Sequence, residues 1–101
     1  MKIDALGIGL SGLRAAQQRL NSSSHNVANL LTEDFHPERT VASEVAEGGV
    51  TTRVERSAEP REVDLASELV EQNLASVHAQ ASMRVIDTSL DLLGSLLDIK
   101  R

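Results

Sequence analysis

The chain has 101 residues, a formal net charge of −5, one aromatic residue (Phe35) and no cysteine. That excludes a disulfide framework, a thiolate metal site and stacking of nucleic-acid bases on aromatic rings. A chain this short forms one domain at most, with a thin core built from Leu, Val, Ile and Ala.

The charge is unevenly spread. Residues 1–32 carry Lys2, Arg14 and Arg19 against Asp4, residues 33–71 hold eleven acids against four arginines, and residues 72–101 balance. No basic stripe forms, so nucleic acid is not an expected partner. No run approaches the ~20 apolar residues that span a bilayer. The start, Met1-Lys2-Ile3-Asp4-Ala5-Leu6, does not read as a cleaved secretory signal, because Asp4 interrupts it.

Residues 1–32 read as an amphipathic helix. Leu6, Leu10, Leu13, Gln17, Leu20, Ser24, Val27 and Leu31 recur at spacings of four and three, the seam of a coiled-coil-like helix. Gly7, Gly9 and Gly12 weaken its first turns by roughly 1 kcal/mol each relative to alanine, so residues 1–10 are expected to order only when packed. The polar run Asn21-Ser22-Ser23-Ser24-His25-Asn26 competes for backbone hydrogen bonds, and a helix through it depends on packing.

The middle, residues 33–62, lies around Pro37 and Pro60. Gly48-Gly49 separates two β-prone runs, Thr40–Val45 and Val50–Val54, which predicts a short hairpin turning at the glycines. A lone hairpin is marginal in water, so it must lean on the helices or on a neighbour. Residues 63–101 read as a second long helix. Its seam is Leu65, Leu69, Gln72, Ser76, Ala79, Met83, Ile86, Leu90, Leu93 and Leu97, with Asp64 as N-cap, Glu68 in the first turn, and Lys100 and Arg101 at the negative end of the helix dipole. The expected fold is mainly α: two long terminal helices pair as an antiparallel coiled-coil-like hairpin around a short β-hairpin or irregular middle. Pairing along the leucine seams would set Leu6 near Leu97, Leu13 near Leu90 and Leu20 near Met83. Gln17, Ser24, Gln72 and Ser76 interrupt the seams, either fixing the register of pairing or facing water where the seam drifts.

Motifs of chemistry are weak. Gly7-Ile8-Gly9-Leu10-Ser11-Gly12 fits G-x-G-x-x-G, with Glu33 and Asp34 some twenty residues on, yet the buried strand and parallel sheet that a dinucleotide site needs are missing. His25, His36 and His78 lack the i, i+4 spacing of a helical zinc site. The acids Glu44, Glu47, Glu55, Glu59, Glu62 and Asp64 read as a solvated segment. No catalytic residue, cofactor or metal ligand is expected.

Two stretches carry a resemblance. Ser11-Gly12-Leu13-Arg14-Ala15, then Asn26-Val27-Ala28-Asn29, then Thr32 and Phe35 resemble the N-terminal signature of the bacterial flagellar axial proteins, which build the rod and hook. Val63–Arg101 is also similar, through Val63-Asp64-Leu65, Val85-Ile86-Asp87-Thr88 and Leu93-Gly94-Ser95-Leu96-Leu97. By its shortness the chain is most like the small proximal-rod members. The chain departs from the family at Asp34, where glycine is usual, and at Val77, Ala79 and Ser82, where an Arg-x-Tyr-x-x-Asn pattern is common. The resemblance implies a non-enzymatic structural subunit that self-assembles through its terminal helices with other axial proteins into a tube. It also implies passage through the flagellar type III export apparatus without a cleaved signal, and a place in the periplasmic rod of the basal body. The other reading of the same seams is a non-polymerising adaptor that binds one partner helix.

Overall fold

The computed structural model describes residues 5–99, so the expectations placed on Met1 to Asp4, Lys100 and Arg101 lie outside the described residues. The elements are α1 (Ala5–Ala28), β1 (Glu38–Glu44), β2 (Val50–Arg56) and α2 (Leu65–Ile99). The helices run antiparallel and pack along their length. β1 and β2 form an antiparallel hairpin, from Glu38 opposite Arg56 to Glu44 opposite Val50. The hairpin folds back along α1, which therefore lies between the hairpin and α2. The result is a slab of 63 × 24 × 14 Å.

Each element has a local cause. Asp64 caps α2: its carboxylate accepts from the backbone N–H of Ala66 (3.1 Å) and from the Ser67 hydroxyl (2.8 Å). The Ser67 hydroxyl, with the Ser67 backbone N–H second, holds the Asp64 pKa below the usual aspartate value. The cap is therefore complete above the ordinary aspartate pKa and is lost as pH falls through the lowered one. In the hairpin, the Gly48 N–H donates to Val45 O (2.9 Å), and Gly48 and Gly49 take φ of 108° and 87°. Those angles suit glycine alone at low cost.

The first helix stops at Ala28 rather than Thr32. The Asn29 side chain donates to His25 O (2.9 Å) and accepts from the Thr32 hydroxyl (3.1 Å), while the backbone tightens into turns at Leu30 and Thr32. Leu31 thus falls beyond the helix and is 94% exposed, so it belongs to no seam. After this cap the chain reverses at Asp34, whose φ is 55°. This left-handed conformation favours glycine, with aspartate among the residues that tolerate it. Asp34→Gly is therefore expected to change stability by less than about 1 kcal/mol, whereas Asp34→Val should cost about 1–3 kcal/mol. Urea unfolding of the two variants checks the ordering.

The pairing of the helices differs from the leucine-seam expectation. The buried residues are small: Gly9, Ala15, Ala16, Ser22, Ser23 and Asn26 on α1, Ala75 and Ser89 on α2. A Cβ placed on Gly9 would lie 2.9 Å from Ile86 Cγ1, and one on Gly12 would lie 2.5 Å from Ser82 Oγ. Ser23 donates to Glu68 O (3.1 Å) and accepts from Gln72 (3.2 Å), and Arg19 pairs with Glu71 at 2.9 Å. The observed seam is therefore Gly9, Gly12, Ala16, Arg19, Ser23 and Asn26 against Glu68, Gln72, Ala75, Ala79, Ser82, Ile86 and Ser89. Both sets keep spacings of three and four. Since Gly12 meets Ser82, the register is displaced by about nine residues, roughly 14 Å, from one that sets Leu13 against Leu90. Small side chains win because they let two backbones approach closely and satisfy polar groups between them.

The same contacts explain the weak stretches of α1. Gly9 and Gly12 lie in regular helix where α2 comes close, and Ser22 and Ser23 are buried and hydrogen-bonded. Packing carries the helix through residues of poor propensity. Of the polar interruptions, Gln72 fixes register through Ser23, while Gln17, Ser24 and Ser76 face water.

Candidate functional site

The leucines that the sequence points to as a pairing seam lie mostly on the outside. Leu10, Leu20, Leu65, Leu69 (52%), Met83, Leu90, Leu93 and Leu97 (68%) are exposed; Leu6, Leu13, Val27 and Ile86 are half-buried. Among these only Ile86 stands in the observed seam, against Gly9. Leu6 borders a small notch with Ser89, Leu92, Leu93 and Leu96, short of Leu97.

Their placement is not scattered. On α1, Ser11, Ser22 and the Gln18 carbonyl bond to the hairpin, so Leu6, Leu10, Leu13 and Leu20 occupy the flank turned away from it. On α2, Ser67 and Glu71 wall a groove beside β1. At about 100° per residue, Leu65, Leu69, Met83 and Leu90 fall on the opposite flank. The leucines of both helices therefore share one side of the helix pair, and the hairpin occupies the other. A second exposed row, Val70, Leu74 and Val77, runs along the far side of α2. Beyond Ser89 the helix overhangs the described start of α1, and Leu90, Leu92, Leu93, Leu96 and Leu97 are all exposed there. An apolar helix surface on several sides at once is normally a covered one.

The motif residues have structural posts. Ser11 Oγ donates to Ile8 O (2.8 Å) and accepts from the Val50 N–H (3.1 Å), tying the hairpin tip to α1. Gly12 admits α2 at Ser82, and Ala15 is buried. Ala28 is exposed at the helix end, Asn29 and Thr32 form the cap, and Phe35 lies 5.5 Å from the His25 ring. Asn26, 3% exposed, has the most connections. It bonds Glu38 through both backbone groups (2.7 and 2.9 Å) and Glu68 through its carboxylate (3.2 Å), joining α1, β1 and α2.

The chemistry-bearing side chains do not converge. His36 meets Ser57 O (2.9 Å), His25 sits by Phe35, and His78 is exposed on α2. Among the described residues no three His, Asp or Glu side chains gather in a metal-holding group. No helix among the described residues is long and apolar enough to cross a membrane. What the fold and its surface define is a helical hairpin whose small residues are spent on internal pairing and whose large aliphatic residues face outward. The chain matches no family model, and no curated protein matches it.

Proposed function

We propose that the chain is a structural subunit of a bacterial flagellar axial assembly, of the small rod kind, and that its outer leucine flank is where neighbouring subunits pack. The observation that carries this reading is the division of labour between small and large residues. Intrachain pairing uses glycine, alanine and serine, which leaves the leucine seams of both helices free along one flank. The separate valine–leucine row on α2 gives each subunit a second apolar surface. Two different surfaces allow the head-to-tail contacts from which open helical assemblies grow. The positive φ at Asp34, where the resembled family has glycine, and the fitting of Ser11, Gly12, Asn26 and Asn29 into caps and close contacts also support the resemblance. The acidic hairpin side then faces away from the packed flank.

Sedimentation at several concentrations, with far-UV circular dichroism on the same samples, tests the reading. Open-ended growth of mass with concentration is expected. Leu69→Asp and Leu90→Asp, both at exposed positions, should leave the helicity of the monomer intact and abolish growth. Unchanged growth in both variants, or a single defined complex in place of open growth, would overturn it; the latter outcome favours the adaptor that binds one partner helix.

A further inference from the structure

We infer that the outer edge of β1 is a docking site for an extended peptide strand carrying a basic side chain. The site lies across the helix pair from the leucine flank and does not rest on the assembly reading.

The groove beside β1, about 450 Å³ in volume, is lined by five consecutive strand residues, Glu38 to Ala42. Alternate residues would line a face of the sheet; consecutive ones mean that the groove follows its edge. Its floor comes from α1 (Arg19, Ser22, Ser23, Asn26) and its far wall from α2 (Ser67, Glu68, Glu71).

The edge already begins a pairing. The Asn26 amide donates to Glu38 O and accepts from the Glu38 N–H, as a neighbouring strand would. Both backbone groups of Glu38 therefore point away from β2. In an antiparallel pair this direction alternates along the strand, so Thr40 and Ala42 also aim their N–H and C=O into the groove. The Val50 N–H, opposite Glu44, reaches outward to Ser11, which fits the same phase on the other strand. The Thr40 hydroxyl bonds to Ser22 and to Gln18 O, but among the described residues neither helix supplies a partner for the Thr40 and Ala42 backbone groups. An extended segment seated there continues, at strand spacing, the ladder that Asn26 starts.

The walls select its charge. Arg19 pairs with Glu71, and Arg56 lies 3.9 Å from Glu38. The Glu68 carboxylate accepts the Asn26 amide and, among the described residues, has no cationic partner. A lysine or arginine on the incoming strand supplies one. A second copy of β1 fits poorly, because two-fold pairing about Val41 sets Glu38 against Glu44 of the other copy, and like charges opposite one another destabilise a ladder.

The test is an NMR titration of the ¹⁵N-labelled full chain with the acetylated and amidated peptide Val-Lys-Val-Thr-Val. The largest shifts are expected at the Thr40 and Ala42 amides. Ala42→Pro removes one outward donor from an edge position that tolerates proline and should weaken binding at least tenfold, with the dichroism spectrum unchanged. The same peptide N-methylated on alternate residues should lose at least tenfold as well, and this comparison decides the matter if Ala42→Pro perturbs the fold. Absence of binding at millimolar peptide, equal affinity of the N-methylated form, or shifts centred on Thr52 and Val54 would each overturn the proposal. Loss of assembly in the leucine variants leaves every one of these readouts in place.

Discussion

Gly9→Leu is expected to force the helices apart and to destabilise the chain by about 3 kcal/mol, the upper range for overpacking a close contact. The Cβ alone would meet Ile86 Cγ1 at 2.9 Å, the Ser82 carbonyl oxygen at 3.3 Å and Val85 Cγ1 at 3.3 Å. One of these is backbone, so no rotamer change relieves all three. The sign is diagnostic. If the helices paired along their leucines instead, position 9 would be free, and replacing glycine by leucine would raise helix propensity by up to about 1 kcal/mol. Gly12 gives a finer version, because the obstacle there is the Ser82 hydroxyl at 2.5 Å, while Ser82 Cβ stands at 3.5 Å. Gly12→Ala should therefore be compensated by Ser82→Ala, with a coupling of about 0.5–2 kcal/mol in a double-mutant cycle. Urea midpoints of the four proteins measure it, and additivity would mean that the two residues do not meet.

Much of the architecture is legible in the sequence. The period of two around Gly48-Gly49 gives the hairpin, the spacings of three and four give both helices, and Asp64 marks the start of α2. The antiparallel pairing of the ends follows from their length and shared period. The register does not, and the reason lies in α2. Its leucine row and its buried row share Gln72, Ala79 and Ile86, so two seams of the same period lie side by side on one helix. Choosing between them by apolar burial favours leucine, but that choice assumes that a seam is filled by the largest side chains. Gly9, Gly12, Ala16 and Ser23 carry the contrary signal. Small residues at heptad-like spacing mark where another backbone comes close, and leucines beside them are then left for neighbours. The groove beside β1 was out of reach for a different reason, since it exists only once the hairpin has folded back over α1. In a sequence, Asn26 is one polar residue in a polar run.

Asn26→Ala is expected to cost about 3–4 kcal/mol, a large share of the stability of a domain this thin. The side chain sits at the meeting point of three elements. Its amide donates to Glu38 O at 2.7 Å and to the Glu68 carboxylate at 3.2 Å, and its oxygen accepts from the Glu38 N–H at 2.9 Å. Truncation removes the bonds to the Glu38 N–H and C=O, each worth about 0.5–1.5 kcal/mol, and the stronger one to the Glu68 carboxylate, worth about 1.5–3 kcal/mol. Unfolding in urea measures the total. Asn26→Asp separates the two halves of the clamp. The introduced carboxylate can accept the Glu38 N–H but cannot donate to Glu38 O or Glu68, and it stands beside the Glu68 charge. Its pKa in the folded state is therefore raised, so its penalty is full above the folded value and shrinks as pH falls through it. At neutral pH Asn26→Asp should be at least as damaging as Asn26→Ala, and the gap between the two should narrow toward pH 4. A gap that stays constant with pH would show that Glu68 does not feel position 26, and that the clamp holds β1 alone.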